Sequence, residues 1–174
     1  MVSRPSDRRR RTRTTDRVRV ALVVLLLLFA DAYLLPSVVT GPWVPDLLLL
    51  ALLLLAIRQP PGTAAVIGFA VGLVADVLTP AHFGAGILAH VLVGWGASWG
   101  RSVFFADNLF VNAALFAVGT WVRNLIVLLL SGTAASSLLV QLTVWSPLQG
   151  LSTAAVGVLV VVLFRDWLAI RIEP

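Results

Sequence analysis

The 174-residue chain contains no cysteine. That excludes disulfides, thiolate metal sites and cysteine nucleophiles, and says nothing about redox compartment. Charge is also scarce: Asp, Glu, Lys and Arg make up 12% of the residues against 59% hydrophobic ones, with a mean hydropathy of +0.98. Soluble domains do not have this composition. Catalytic patterns are missing too, since there is no glycine-rich phosphate loop, no closely spaced carboxylate pair, no nucleophile elbow and no HExxH segment. His82 and His90 stand in different segments, and His90 has no acid three or four residues away, so no metal or other cofactor is expected. A channel would need recurrent polar stripes in several spans, and none is evident. These absences leave a compact all-α integral membrane protein that is not expected to be an enzyme.

What charge there is lies at one end. Residues 1–20 hold eight arginines against Asp7 and Asp16, a local charge of +6 within a total of +5. Such a cluster could suggest nucleic acid, but a polar, low-complexity head just before an apolar run reads instead as a disordered cytoplasmic tail over 1–17 that fixes topology. Binding anionic headgroups beside the first span rests on the same physics. A signal peptide would also begin with basic residues, but the following run is long and no small-residue cleavage motif ends it.

A membrane helix needs about 20 apolar residues. Six runs are read as spans, at approximately 18–39, 43–57, 63–78, 84–99, 109–130 and 138–164, followed by a short cytoplasmic C-terminus at 167–174. The second is short and reaches adequate length only if counted from Trp43. Pro147 and Gly150 are expected to bend the last. From the tail through the five connections to the C-terminus, arginines number eight, zero, one, zero, one, zero and two. By the positive-inside rule both termini are cytoplasmic, and the turns at 40–45, 79–84 and 131–137 lie outside. The alternative is five spans with a re-entrant second segment.

Within these spans a few polar groups stand out. Gly68, Gly72, Asp76 and Pro80 follow at intervals of four in GFAVGLVADVLTP, so they share one helix face. The glycines permit close approach of a neighbouring helix. Asp76 is then expected to accept hydrogen bonds from the TPAHFG turn or from the N-terminus of span four, with a ligand or proton site and a partner contact as the other readings. Asp46, after Pro45, sits where it can cap span two. Asp31 and Arg123 lie deeper, and an ion pair between them is expected if their helices are neighbours, with snorkelling of Arg123 to the headgroups as the alternative. His90 is expected to be hydrogen-bonded inside the bundle.

The segment from PDLLLLALLLLAIRQPPG through GFAVGLVADVLTPAHFGAGILAHVLVGW resembles the central signature of the MreD family of bacterial rod-shape-determining membrane proteins. The matching positions are Pro45, Asp46, Gly68, Phe69, Gly72, Leu73, Asp76, Pro80, Gly84 and the stretch Ala85 to Leu88. The resemblance implies a six-helix bundle similar to the substrate-binding component of vitamin (ECF-type) transporters. It also implies a non-enzymatic subunit of the cell-elongation complex in the cytoplasmic membrane, in which these residues serve helix packing and partner docking. The partners it implies are an MreC-like protein, a RodA-like glycosyltransferase with its class-B penicillin-binding transpeptidase, and in many cases the actin-like MreB, with no nucleic acid. The rival reading is the substrate-capturing subunit of a small-molecule transporter, with Asp31, Asp76, His90, Trp95 and Trp99 around an outward-facing pocket.

Overall fold

A computed structural model describes residues 18–38, 40–103, 108–132 and 134–164 of the chain. The expected tail at 1–17 and C-terminal segment at 167–174 lie outside the described residues. Among those described there are six helices and no strands. Helix α1 runs from residue 18 through a π turn at Ala30–Leu34 to Leu35–Val38. It is followed by α2 (Leu47–Ala56), α3 (Pro61–Leu78), α4 (Ala85–Val103) and α5 (Leu109–Leu130). Helix α6 comprises Ala135–Val140, a π turn at Gln141–Trp145 and Ser146–Leu163. By length and composition α3, α5 and residues Ser136–Leu163 of α6 can each cross a membrane.

The chain folds around its greasiest piece. Helix α2 is ten residues long, about 15 Å at 1.5 Å per residue and half a hydrocarbon layer. All of it except Leu55 is buried, with Leu49, Leu50, Leu52, Leu53 and Leu54 at 0% exposure. A helix apolar on every side belongs in the middle of a bundle, and α2 packs against α3, α4, α5 and α6. The expected span from Trp43 to Ile57 is therefore helical over its second part only. Trp43 to Asp46 is non-helical, and α6 satisfies its backbone: Ser152 Oγ donates to Trp43 O (2.7 Å), Gln149 Nε2 donates to Val44 O (3.0 Å), and Thr153 Oγ1 accepts from Asp46 N (3.0 Å). Irregular backbone at membrane depth is tolerated only where protein supplies such partners.

Prolines shape the second half of α1 and the first half of α6 in the same way. In α6, Ser146 N bonds to Gln141 O, one residue beyond the α register. Pro147 has no N–H to offer, so Leu142 O loses its partner in both registers, and Trp121 Nε1 of α5 donates to it at 3.0 Å. In α1, Leu35 N bonds to Ala30 O ahead of Pro36. Each π turn thus ends two residues before a proline. Where a bend is expected in the last span, the helix contains a π turn rather than a break.

Candidate functional site: two capped helix starts and a polar cluster

Helices α3 and α4 form a hairpin whose contact is backbone to backbone. A Cβ on Gly72 would lie 2.6 Å from Ile87 Cα, one on Gly94 would lie 2.9 Å from Ala64 O, and one on Gly68 would strike the carbonyl of His90. Gly68 and Gly72 are buried inside one chain, so neither is available to a second copy. Phe69, on the same helix, is 52% exposed and points away from the hairpin. Pro80 is exposed and opens the 3-10 turn Pro80–His82.

Asp76 closes the hairpin. Its Oδ2 accepts from Gly84 N at 2.7 Å and from Ile87 N at 3.1 Å, and the residue is 4% exposed. Since α4 begins at Ala85, Gly84 is its N-cap and Ile87 its third residue. A capping box satisfies those two donors with two side chains, one at each position. Here glycine and isoleucine have neither, and one carboxylate from α3 serves both, where negative charge also complements the helix dipole. Gly84 adopts φ +100°, a conformation glycine takes at little cost. Gly86 lies so close to Asp76 Oδ1 that a Cβ there would overlap it. His90, 0% exposed, has its Nδ1 2.7 Å from Gly86 O. A carbonyl only accepts, so Nδ1 carries the proton.

A second cluster gathers at the start of α2. Asp31 Oδ1 accepts from Leu47 N at 3.1 Å, and Asp46 Oδ1 accepts from Leu49 N at 2.8 Å. Asp46 is the expected cap, and its side chain is only 9% exposed. The ion pair expected between Asp31 and Arg123 is not formed. Arg123 Nε is 3.6 Å from Asp46 Oδ2, because the short central α2 brings its N-cap beside α5 while Asp31 turns to the first amide of α2. Pro45 lines the same cavity as Asp31, Asp46 and Arg123.

Behind Arg123 runs a chain of amides. Arg123 Nη1 donates to Asn124 Oδ1 (2.9 Å), Asn124 Nδ2 donates to Gln149 Oε1 (2.7 Å), and Gln149 Nε2 donates to Val44 O. Asn124 and Gln149 were missed in the sequence, although a signal existed. Asn112, Phe116, Thr120 and Asn124 recur every four residues on the buried face of α5, and Gln149, Ser152 and Thr153 share a face of α6. Two helices therefore carry polar stripes where none was read.

The transporter-like constellation does not assemble. Asp76 is held by α4, His90 is sealed inside, and Trp95 and Trp99 stack on each other 48% and 58% exposed on the surface of α4. Among the described residues, no three His, Cys, Asp or Glu side chains come together as metal ligands.

Comparison with curated proteins and with solved structures gives no match. The family model described as rod shape-determining protein MreD matches residues 12–167. The match takes in every described helix and both capped helix starts, and on it the chain belongs to the MreD family of rod-shape-determining membrane proteins.

Proposed function

We propose that the chain is a non-enzymatic subunit of the cell-elongation complex. It binds an MreC-like protein and, through it, helps organise a RodA-like glycosyltransferase and its class-B penicillin-binding transpeptidase, with actin-like MreB as a further partner. Family membership over residues 12–167 carries this reading. The packing supports it: the signature residues Asp46, Gly68, Gly72, Asp76 and Gly84 are spent on holding helices together, as a scaffold requires. Six spans with both termini cytoplasmic is the topology that goes with it, α2 crossing only together with the non-helical segment before it. The arginine distribution supports that topology, as does the gathering of the three turns read as external around shared cavities: Gly41 and Ser137 line one, and Val44 and Thr79 line its neighbour.

The test is affinity capture of the tagged full-length protein in mild detergent. Recovery of an MreC-like protein with wall synthases is the expected result. Recovery of transporter ATPases without any wall-synthesis protein overturns it in favour of a transporter subunit.

A further inference from the structure

Two cavities meet at Arg123. The smaller, about 280 Å³, contains Asp31 and Asp46. The larger, about 720 Å³, lies between the outer halves of α5 and α6 and the Gly41–Pro42 turn, and has no carboxylate in its wall. Arg123 and Gln149 line both and form the partition. The larger is of the size that takes a small organic molecule.

Its chemistry follows from the direction of the amide chain, which is fixed at both ends. A guanidinium only donates and a backbone carbonyl only accepts. Gln149 must therefore present Nε2 to Val44 O, Asn124 must present Nδ2 to Gln149, and Asn124 Oδ1 must face Arg123. Each of these two side-chain carbonyls already accepts one bond within the chain. The unspent donors are the second N–H of each carboxamide and the rest of a five-donor guanidinium. Arg123 Nε is buried with no hydrogen-bond acceptor among the described residues, and its ion pair with Asp46 lies on the acidic side. The wall of the larger cavity thus carries a guanidinium and carboxamide donors and no carboxylate. Such a site suits an anionic oxyacid group, and a guanidinium suits phosphate in particular. Trp145 lines it, and on the same stretches of α5 and α6 Leu129, Leu130, Leu139 and Val144 expose apolar surface that would lie along acyl chains.

We propose that this cavity binds a phosphorylated headgroup, with Arg123 contacting the phosphate and Asn124, Gln141 and Gln149 the neighbouring oxygens. The phosphate can belong to a membrane lipid or to a soluble phosphoester. The purified full-length protein, in a maltoside detergent and phosphate-free buffer, is titrated with dihexanoyl phosphatidic acid, with dihexanoylglycerol, which lacks the phosphate, and with glycerol 3-phosphate. Saturable binding of the phosphatidic acid but not of dihexanoylglycerol is expected. It should weaken at least about tenfold in Arg123→Gln, the loss of a charge-assisted hydrogen bond, and in Ser137→Trp, which fills the cavity from the exposed side and leaves the amide chain intact. Displacement by glycerol 3-phosphate at similar concentrations assigns the site to a soluble phosphoester. Failure to displace, with the two variants weakened, assigns it to lipid. Should Arg123→Gln not fold, Ser137→Trp decides. No saturable binding of either phosphate compound, dihexanoylglycerol binding as tightly as phosphatidic acid, or unchanged affinity in the folded variants overturns the proposal.

Discussion

Replacing Asp76 by alanine leaves two amides of α4 without an acceptor. Gly84 N and Ile87 N both bond to one carboxylate oxygen, at 2.7 and 3.1 Å, and nothing else at the hairpin tip is built to take them. Hydrogen bonds to a charged group contribute about 1.5–3 kcal/mol each, and a buried donor left alone costs about 1–3 kcal/mol. Two such donors suggest about 4 kcal/mol. The turn residues from Ala81 to Phe83 are exposed, so water reaches one amide in the variant and lowers the figure to about 3 kcal/mol. Asp76→Asn keeps an acceptor oxygen in place and loses only the charge, at about 1 kcal/mol. Gly84→Ala keeps the carboxylate and its backbone donor, and costs about 1–2 kcal/mol through its φ of +100°. Unfolding of the purified protein in mixed micelles, followed by tryptophan fluorescence, should order the variants wild type, Asp76→Asn, Gly84→Ala, Asp76→Ala. If Asp76→Ala unfolds within about 0.5 kcal/mol of wild type, the carboxylate is not the cap of α4 and the account of the hairpin is wrong.

Other expectations follow from single contacts. Gly72→Leu, with its Cβ 2.6 Å from Ile87 Cα, should abolish folded yield, while Phe69→Ala, on the exposed side, should leave it intact within about 0.5 kcal/mol; equal yields of the two would refute the direction assigned to this helix. A double-mutant cycle on Arg123→Gln and Asp46→Asn should show a coupling of about 1 kcal/mol, and the cycle with Asp31→Asn a smaller one, because the 3.6 Å ion pair is with Asp46. Thr153→Val deprives Asp46 N of its acceptor and should cost about 1–3 kcal/mol, measured in the same micelle titration. Trp121→Phe should cost about 1 kcal/mol by removing the donor to Leu142 O. That cost should shrink in a Pro147→Ala background, where a backbone N–H returns to compete for the same carbonyl.

Local chemistry was legible in the sequence because glycine, proline and aspartate act over a few residues. The ends of α5 coincide with the expected run at 109–130, and α3, α4 and α6 begin or end two to four residues outside theirs, since helical backbone runs on past the last apolar residue. Asp46 announced itself as a cap by standing between a proline and a run of leucines. Asp76 did so by falling on the glycine face, and the eight residues from it to Gly84 are a hairpin's length. What the sequence could not give was the partner of a group at long range. Arg123 chooses between two acids 15 residues apart in the chain, and only the depth to which α2 sinks decides between them. That depth depends on Ser152 and Thr153, more than 100 residues away.

The polar stripes of α5 and α6 escaped notice for a related reason. Asn112, Thr120 and Asn124 are diluted by valine and leucine, and a stripe on one helix says little until a second faces it. A lone amide in a membrane helix is a cost to be explained. Two facing ones that bond to each other and to a stretch of unwound backbone are a support. In this protein the unwound stretch is the approach to α2, the helix against which every other described helix packs. The residues read first as isolated anomalies, Asp31, Asp46 and Arg123, thus have one common task. They end a helix in the middle of a membrane protein without leaving its amides bare, and the cavities beside them exist because a ten-residue helix cannot fill the space that a full span would.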